Sequence, residues 1–145
     1  IQSDINTKVY YVSLGSFDTH VAQEQQQKRL FTELNDAVKA FAADLKSNNR
    51  FKDVLMMTFS EFGRRVAQNA SNGTDHGTAN NMFFISGGLK QKGLLNPMPD
   101  LADLNDGDLK HKVDFRNVYA TVMNNWLGTD EKTIMGGKFE KMNFI

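Results

Sequence analysis

The chain has 145 residues, 40% of them hydrophobic, with Lys+Arg and Asp+Glu balanced at 17 each. That length and apolar content suit one folded domain around a single core and exclude disordered and fibrous classes. With no net charge there is no basic field to draw the chain to nucleic acid or to an anionic membrane, so partners are to be sought at a site. No apolar run approaches the roughly 18 residues needed to span a bilayer, and Ile1-Gln2-Ser3-Asp4 has neither the charged nor the apolar region of a signal peptide. The missing initiator Met points to a piece of something longer. Zero cysteines exclude disulfides, thiolate catalysis and Cys-ligated zinc.

In chain order, Val9-Tyr10-Tyr11-Val12-Ser13-Leu14 is a β-branched and aromatic run closed by Gly15, which predicts a buried strand. From about 22 to 46, Leu30, Leu34, Ala37, Val38, Phe41 and Leu45 recur at helical spacing among Gln and charged residues, which predicts a long amphipathic helix. After Ser47-Asn48-Asn49, the near-continuous apolar run 53–59 reads as a second strand covered on both faces. Strand, helix, strand implies a right-handed parallel βαβ unit. Residues 65–80 are rich in Asn, Ser, Gly and Thr and read as a loop, followed by a third strand at Met82-Phe83-Phe84-Ile85. Gly87-Gly88 and Gly93 punctuate a hairpin-like stretch, and Pro97-Met98-Pro99 opens an irregular connection to about Val113. Asp114 predicts the N-cap of a final helix with Phe115, Val118, Val122, Met123 and Trp126 on its apolar face and Gly128 at its end.

Two polar clusters carry the chemistry: Asp18-Thr19-His20, just past the first predicted strand, and Asp75-His76-Gly77 in the Gly/Asn-rich loop. They hold two of the three histidines. Glu61, in Ser60-Glu61-Phe62-Gly63-Arg64, follows the second predicted strand. Open α/β sheets bind ligands beyond the carboxyl ends of parallel strands, which is where the first and third of these segments are expected. Asp and His pairs on two loops with a Glu at a strand end fill four or five positions around a divalent ion. Two imidazoles favour zinc or manganese over magnesium or calcium. Arg64, planar and always charged, suits a phosphate or sulfate oxygen beside that ion. The plainer readings are that Asp18 caps the following helix with His20 bonded to it, and that Glu61 pairs with Arg64 or Arg65 on the surface. His111, between two lysines, is expected to be exposed, and the aromatics and methionines to be core.

Gly15-Ser16-Phe17-Asp18-Thr19-His20 with Gln23, Ser60-Glu61-Phe62-Gly63-Arg64 with Asn69, Gly73-Thr74-Asp75-His76-Gly77 and Gly87-Gly88, in that order and spacing, resemble the carboxy-terminal half of the bacterial domain of unknown function 1501 family, a branch of the alkaline phosphatase and sulfatase superfamily. Asp114-Phe115-Arg116 with Val118-Tyr119-Ala120-Thr121 resembles that family's last helix. Phe17 stands where Trp is more usual, and Gln91-Lys92-Gly93 loosens a Gly-rich turn. The resemblance implies an α/β fold, a mostly parallel sheet with flanking helices of alkaline phosphatase type, and makes residues 1–145 one partial domain of a longer, exported protein. It implies a periplasmic or extracellular location and the upstream half of the polypeptide as a partner.

Carried over residue by residue, Asp18, His20, Asp75 and His76 match the superfamily's metal-ligand motifs, with Glu61 in a comparable strand-end position. The implied function is metal-dependent hydrolysis of a small phosphate or sulfate ester. Glu61 would complete or bridge the shell and Arg64 would steady the substrate. No nucleophile is visible in the chain, and Thr19 has no base placed to activate it. The competing expectation is a non-catalytic exported binding or scaffold protein that retains the fold. A wholly structural domain, with His and Asp acting as caps, requires the clustering to be chance.

Overall fold

A computed structural model describes residues 1, 3 and 6–145. Gln2 and Asp4 of the amino-terminal stretch read above lie outside the described residues. The dominant element is helix α1, Gln23–Ser47, within about a residue of its predicted bounds. Leu30 and Leu45 are buried, Leu34, Val38 and Phe41 are half-buried, and Ala37 is exposed, so the apolar stripe is only partly covered. The helix begins after Ala22, a left-handed residue whose side chain cannot cap. Its first orphan N–H groups are satisfied from elsewhere: Ala22 N–H donates to Ser71 O at 3.0 Å and Gln23 N–H to Asn72 O at 2.9 Å.

Those carbonyls belong to the turn of a hairpin, β2 (Gly63–Gln68) with β3 (Thr74–Gly77), and the chain on either side of it forms a separate, shorter pair, β1 (Met56–Met57) with β4 (Phe84–Ile85). Both pairs are antiparallel. In the β2–β3 hairpin Gly63 opposes Gly77 and Arg64 opposes His76, and a register shift before Gln68↔Thr74 bends the ribbon. A third antiparallel pair, β5 (Leu104–Asn105) with β6 (Asp108–Leu109), turns through Asp106-Gly107, both at positive φ.

The expected mostly parallel α/β sheet of alkaline phosphatase type is therefore incorrect: among the described residues the strands form three separate two-stranded antiparallel pairs. The reason lies in two apolar runs. Val9, Tyr10, Tyr11, Val12 and Leu14 form no strand and are 41–88% exposed. In the run 53–59 only Met56–Met57 pairs, and its partner is antiparallel. Without a ladder between the two runs, α1 crosses over between no strands of a common sheet. A continuous apolar run does not by itself distinguish a two-sided buried strand from half-covered coil, and here the coil prevails.

The carboxy-terminal core is better defined. Asp114 caps α2, Phe115–Thr121, by accepting from Arg116 N–H at 2.9 Å, and the helix continues as a π-helical turn, Val122–Trp126. Val118, Phe144 and Ile145 are buried together, with Met57, Phe84, Val122 and Trp126 packed around them, so this core seats β1 and β4. Phe115, expected on the apolar face, is 61% exposed and stacks edge-on against Tyr119. A last short helix, α3 (Glu131–Met135), follows Gly128. Its Glu131 is buried, accepts from Asn124 Nδ2 at 2.5 Å and faces Lys141, which ties α3 to the π turn. Among the described residues no helix is long and apolar enough to cross a membrane.

Candidate metal centre

The segment before α1 and the β2–β3 hairpin meet at the helix start, and glycine makes the approach close enough. A Cβ on Gly73 would lie 2.2 Å from His20 O across that contact, and on the hairpin's own side one on Gly63 would lie 1.7 Å from Ala79 O, just past β3. Around Gly73 a single side chain gathers both segments. Asn69 Oδ1 accepts from Ser71 N–H at 2.9 Å and Gly73 N–H at 3.0 Å, while its Nδ2 donates to His20 O at 3.0 Å and Asp75 Oδ1 at 3.3 Å. Helix residues complete the seam: Gln23 Oε1 accepts from Thr74 Oγ1, and Gln27 Nε2 donates to the buried Thr19 Oγ1.

This framework brings Asp18, His20 and His76 together. Asp18 Oδ1 lies 2.7 Å from His76 Nε2 and 2.9 Å from His20 Nε2, and the two nitrogens are 3.2 Å apart. Donor atoms about 2.0–2.1 Å from a common ion stand about 3.3 Å apart in tetrahedral coordination and about 2.9 Å apart in octahedral coordination. The triangle thus has the size of one face of a coordination shell, and its two imidazoles and one carboxylate are a donor set that zinc or manganese accepts. All three side chains are partly open to solvent, which leaves further positions for water or an anion.

The local environment fixes these groups. Phe62 stacks on the His76 ring at 3.9 Å and 9°. Hydrogen bonding from His76, reinforced by the nearby His20 and Arg64, holds the Asp18 carboxyl below its ordinary value, favouring the carboxylate. Asp75 is lowered too, by hydrogen bonds from Asn69 and then from His20. Its Oδ1 is 3.4 Å from His20 Nδ1, on the ring edge remote from the triangle.

Of the residues singled out in the sequence, Asp18, His20 and His76 converge, and Asp75 joins them through the far side of His20. Glu61 is exposed and lies outside the cluster. Among the described residues it makes no ion pair with Arg64, which pairs with Asp18, or with Arg65, which pairs with Asp108. Arg64 is largely covered: Nη1 donates to Thr74 O at 2.6 Å, Nη2 donates to Phe17 O at 2.6 Å and reaches Asp18 Oδ1 at 3.4 Å, and the guanidinium lies over Phe62. Through these bonds its Nη1 and Nη2 groups hold the Asp18 loop against the hairpin. Asp18 does not cap α1. His111 is exposed, as expected.

Sequence reasoning assigned no role to Asn69, Phe62 or Gly73. The dipeptide Asn72-Gly73 carried the signal for the hairpin, with Asn72 at φ 57°. Comparison with curated proteins and with solved structures returned no match. A family profile, that of a protein family of unknown function, DUF1501, matches residues 4–142. Nearly the whole chain is covered by that match, and the chain belongs to the DUF1501 family.

Proposed function

We propose that the chain binds one divalent metal ion through Asp18, His20 and His76 and belongs to a metal-dependent hydrolase acting on phosphate or sulfate esters. The observation that carries the proposal is the triangle of 2.7, 2.9 and 3.2 Å drawn by three lone-pair atoms from two segments. With protons alone these atoms are bridged by hydrogen bonds, and the same converging lone pairs suit a cation.

When bound, such an ion polarises an anionic oxygen and lowers the pKa of coordinated water to about 7. The chain's own residues supply the setting. Asp18 contributes negative charge, the two imidazoles contribute neutral nitrogen donors, Phe62 keeps His76 in plane, and Arg64 and Asn69 lock the Asp18–His20 backbone to the hairpin. Thr19 is buried, with its hydroxyl turned to Phe17 O and Gln27, so it holds the loop and is no nucleophile. That arrangement favours water as the attacking group within this chain. It also supports a second reading, a binding or scaffold protein in which the ion is structural, since the hydroxyl between Asp18 and His20 is engaged in holding the loop.

Elemental analysis of protein purified without chelators, beside a His20→Ala/His76→Ala double variant, tests the metal. The expected result is close to one zinc or manganese per chain, lost in the variant. Failure of the native chain to take up either ion with its helicity intact ends the metal reading. Hydrolysis of aryl phosphate or aryl sulfate esters by the metal-loaded chain separates the hydrolase from the scaffold.

A further inference from the structure

Asp75 lies in the same strand as His76, yet it serves the other histidine. Its Oδ1 is 3.4 Å from His20 Nδ1, whereas His20 Nε2 faces Asp18 and His76. The two nitrogens of an imidazole project from opposite edges of the ring, so a group held at Nδ1 is turned away from whatever Nε2 binds. Asp75 is also pinned from behind. One amide nitrogen, Asn69 Nδ2, donates to Asp75 Oδ1 and to the carbonyl of His20, fixing the carboxylate relative to the backbone of the residue it faces.

A carboxylate at Nδ1 keeps the proton on that nitrogen, leaves Nε2 with a bare lone pair, orients the ring and raises its basicity. We infer that Asp75 is a positioning residue that acts on the ion through His20, in a relay Asn69–Asp75–His20 that ends at Nε2, and is not itself a ligand. This departs from the residue-by-residue reading of the sequence, in which Asp75 and His76 ligate alike, and it rests on the metal centre proposed above.

Cobalt(II) titration tests the relay. The visible absorption of bound Co²⁺ reports which atoms ligate, and competition with a chelator gives the affinity, for the native chain, Asp75→Ala, Asp75→Asn and Asp18→Ala. Asp75→Ala should keep the native band shape and one ion per chain, with affinity reduced about 10–100-fold. Asp75→Asn, whose amide oxygen still accepts from Nδ1–H, should recover most of that loss. Asp18→Ala should change the band shape, because a ligand is gone. An Asp75→Ala spectrum altered like that of Asp18→Ala would make Asp75 a ligand, and an unchanged affinity would make it a bystander; either result overturns the inference while leaving the centre in place. A native chain that binds no Co²⁺ removes the centre and the relay together.

Discussion

Replacing Gly73 by alanine probes whether the centre depends on the contact between hairpin and loop. The new Cβ would fall 2.2 Å from His20 O, 2.3 Å from His20 C and 2.8 Å from Val21 N, all of them backbone atoms. Ordinary contact begins near 3.4 Å. The His20 backbone must therefore retreat by about 1.2 Å, several times the roughly 0.2 Å tolerance of metal–ligand distances. The same movement strains the bond from Asn69 Nδ2 to His20 O, and with it the relay through Asp75. Metal affinity should fall at least about 100-fold, equivalent to about 2.8 kcal/mol, while α1 and the carboxy-terminal core persist. Calorimetric titration with Zn²⁺ in a competing chelator reads the affinity, and far-ultraviolet circular dichroism reads the helix. Gly88→Ala is the control, since its Cβ meets nothing closer than 3.5 Å. Native affinity in Gly73→Ala would show that the loop does not need this seam, and the account of how the site is positioned would fall.

Thr19→Val removes the hydroxyl at nearly constant volume and leaves Gln27 Nε2 without its acceptor. It should cost about 1 kcal/mol in denaturant unfolding and leave metal content unchanged; abolished ester hydrolysis with full metal content would restore Thr19 as a nucleophile. Leu45→Ala empties a 1% exposed position on α1 and should destabilise the chain by about 2–5 kcal/mol, and a urea midpoint equal to that of the native chain would contradict the burial. Asp114 is held at about 2, below its usual 3.8, first by the Arg116 side chain and then by the Arg116 N–H that it caps. Because its folded value lies below the unfolded one, its stabilisation is complete above 3.8 and is lost as pH falls toward 2. Thermal melts through that window should drop more steeply for the native chain than for Asp114→Asn; parallel curves would refute the assignment.

Elements whose cause is local were legible in the residues. The 3.6-residue spacing from Leu30 to Leu45 marked α1, and Asp114 marked the cap of α2, because both depend on neighbours within a turn or two. The sheet was misread because Val9-Tyr10-Tyr11-Val12 and Val54-Leu55-Met56-Met57 state only a preference for extended, apolar surroundings, whereas pairing is decided by distant chain. Asn72-Gly73, closing the turn 69–73, and Asp106-Gly107 are the local signals of the two hairpins, and charged and amide-rich flanks mask the strands beside them. At the site, residue type singled out Asp18, His20 and His76, which the fold brings together, since few side chains are able to ligate. It did not show that Asp75, next to His76 in the chain, meets the Nδ1 edge of His20 and stands outside the triangle. The role of Arg64 turned likewise on two carbonyls that no spacing predicts.

The extended stretch Val9–Leu14 governs how this chain behaves in a tube. It is uncharged, free of proline, strongly β-prone and exposed, and among the described residues it donates and accepts no strand ladder. Such a stretch is a template for edge-to-edge self-association. Colloidal repulsion will not oppose it near neutrality, where the isoelectric point is about 7.0. Precipitation should therefore be worst at neutral pH, where metal titrations are most naturally run. A Val12→Lys substitution, at a position 88% exposed, is the change that would keep the chain in solution long enough to test it for bound metal.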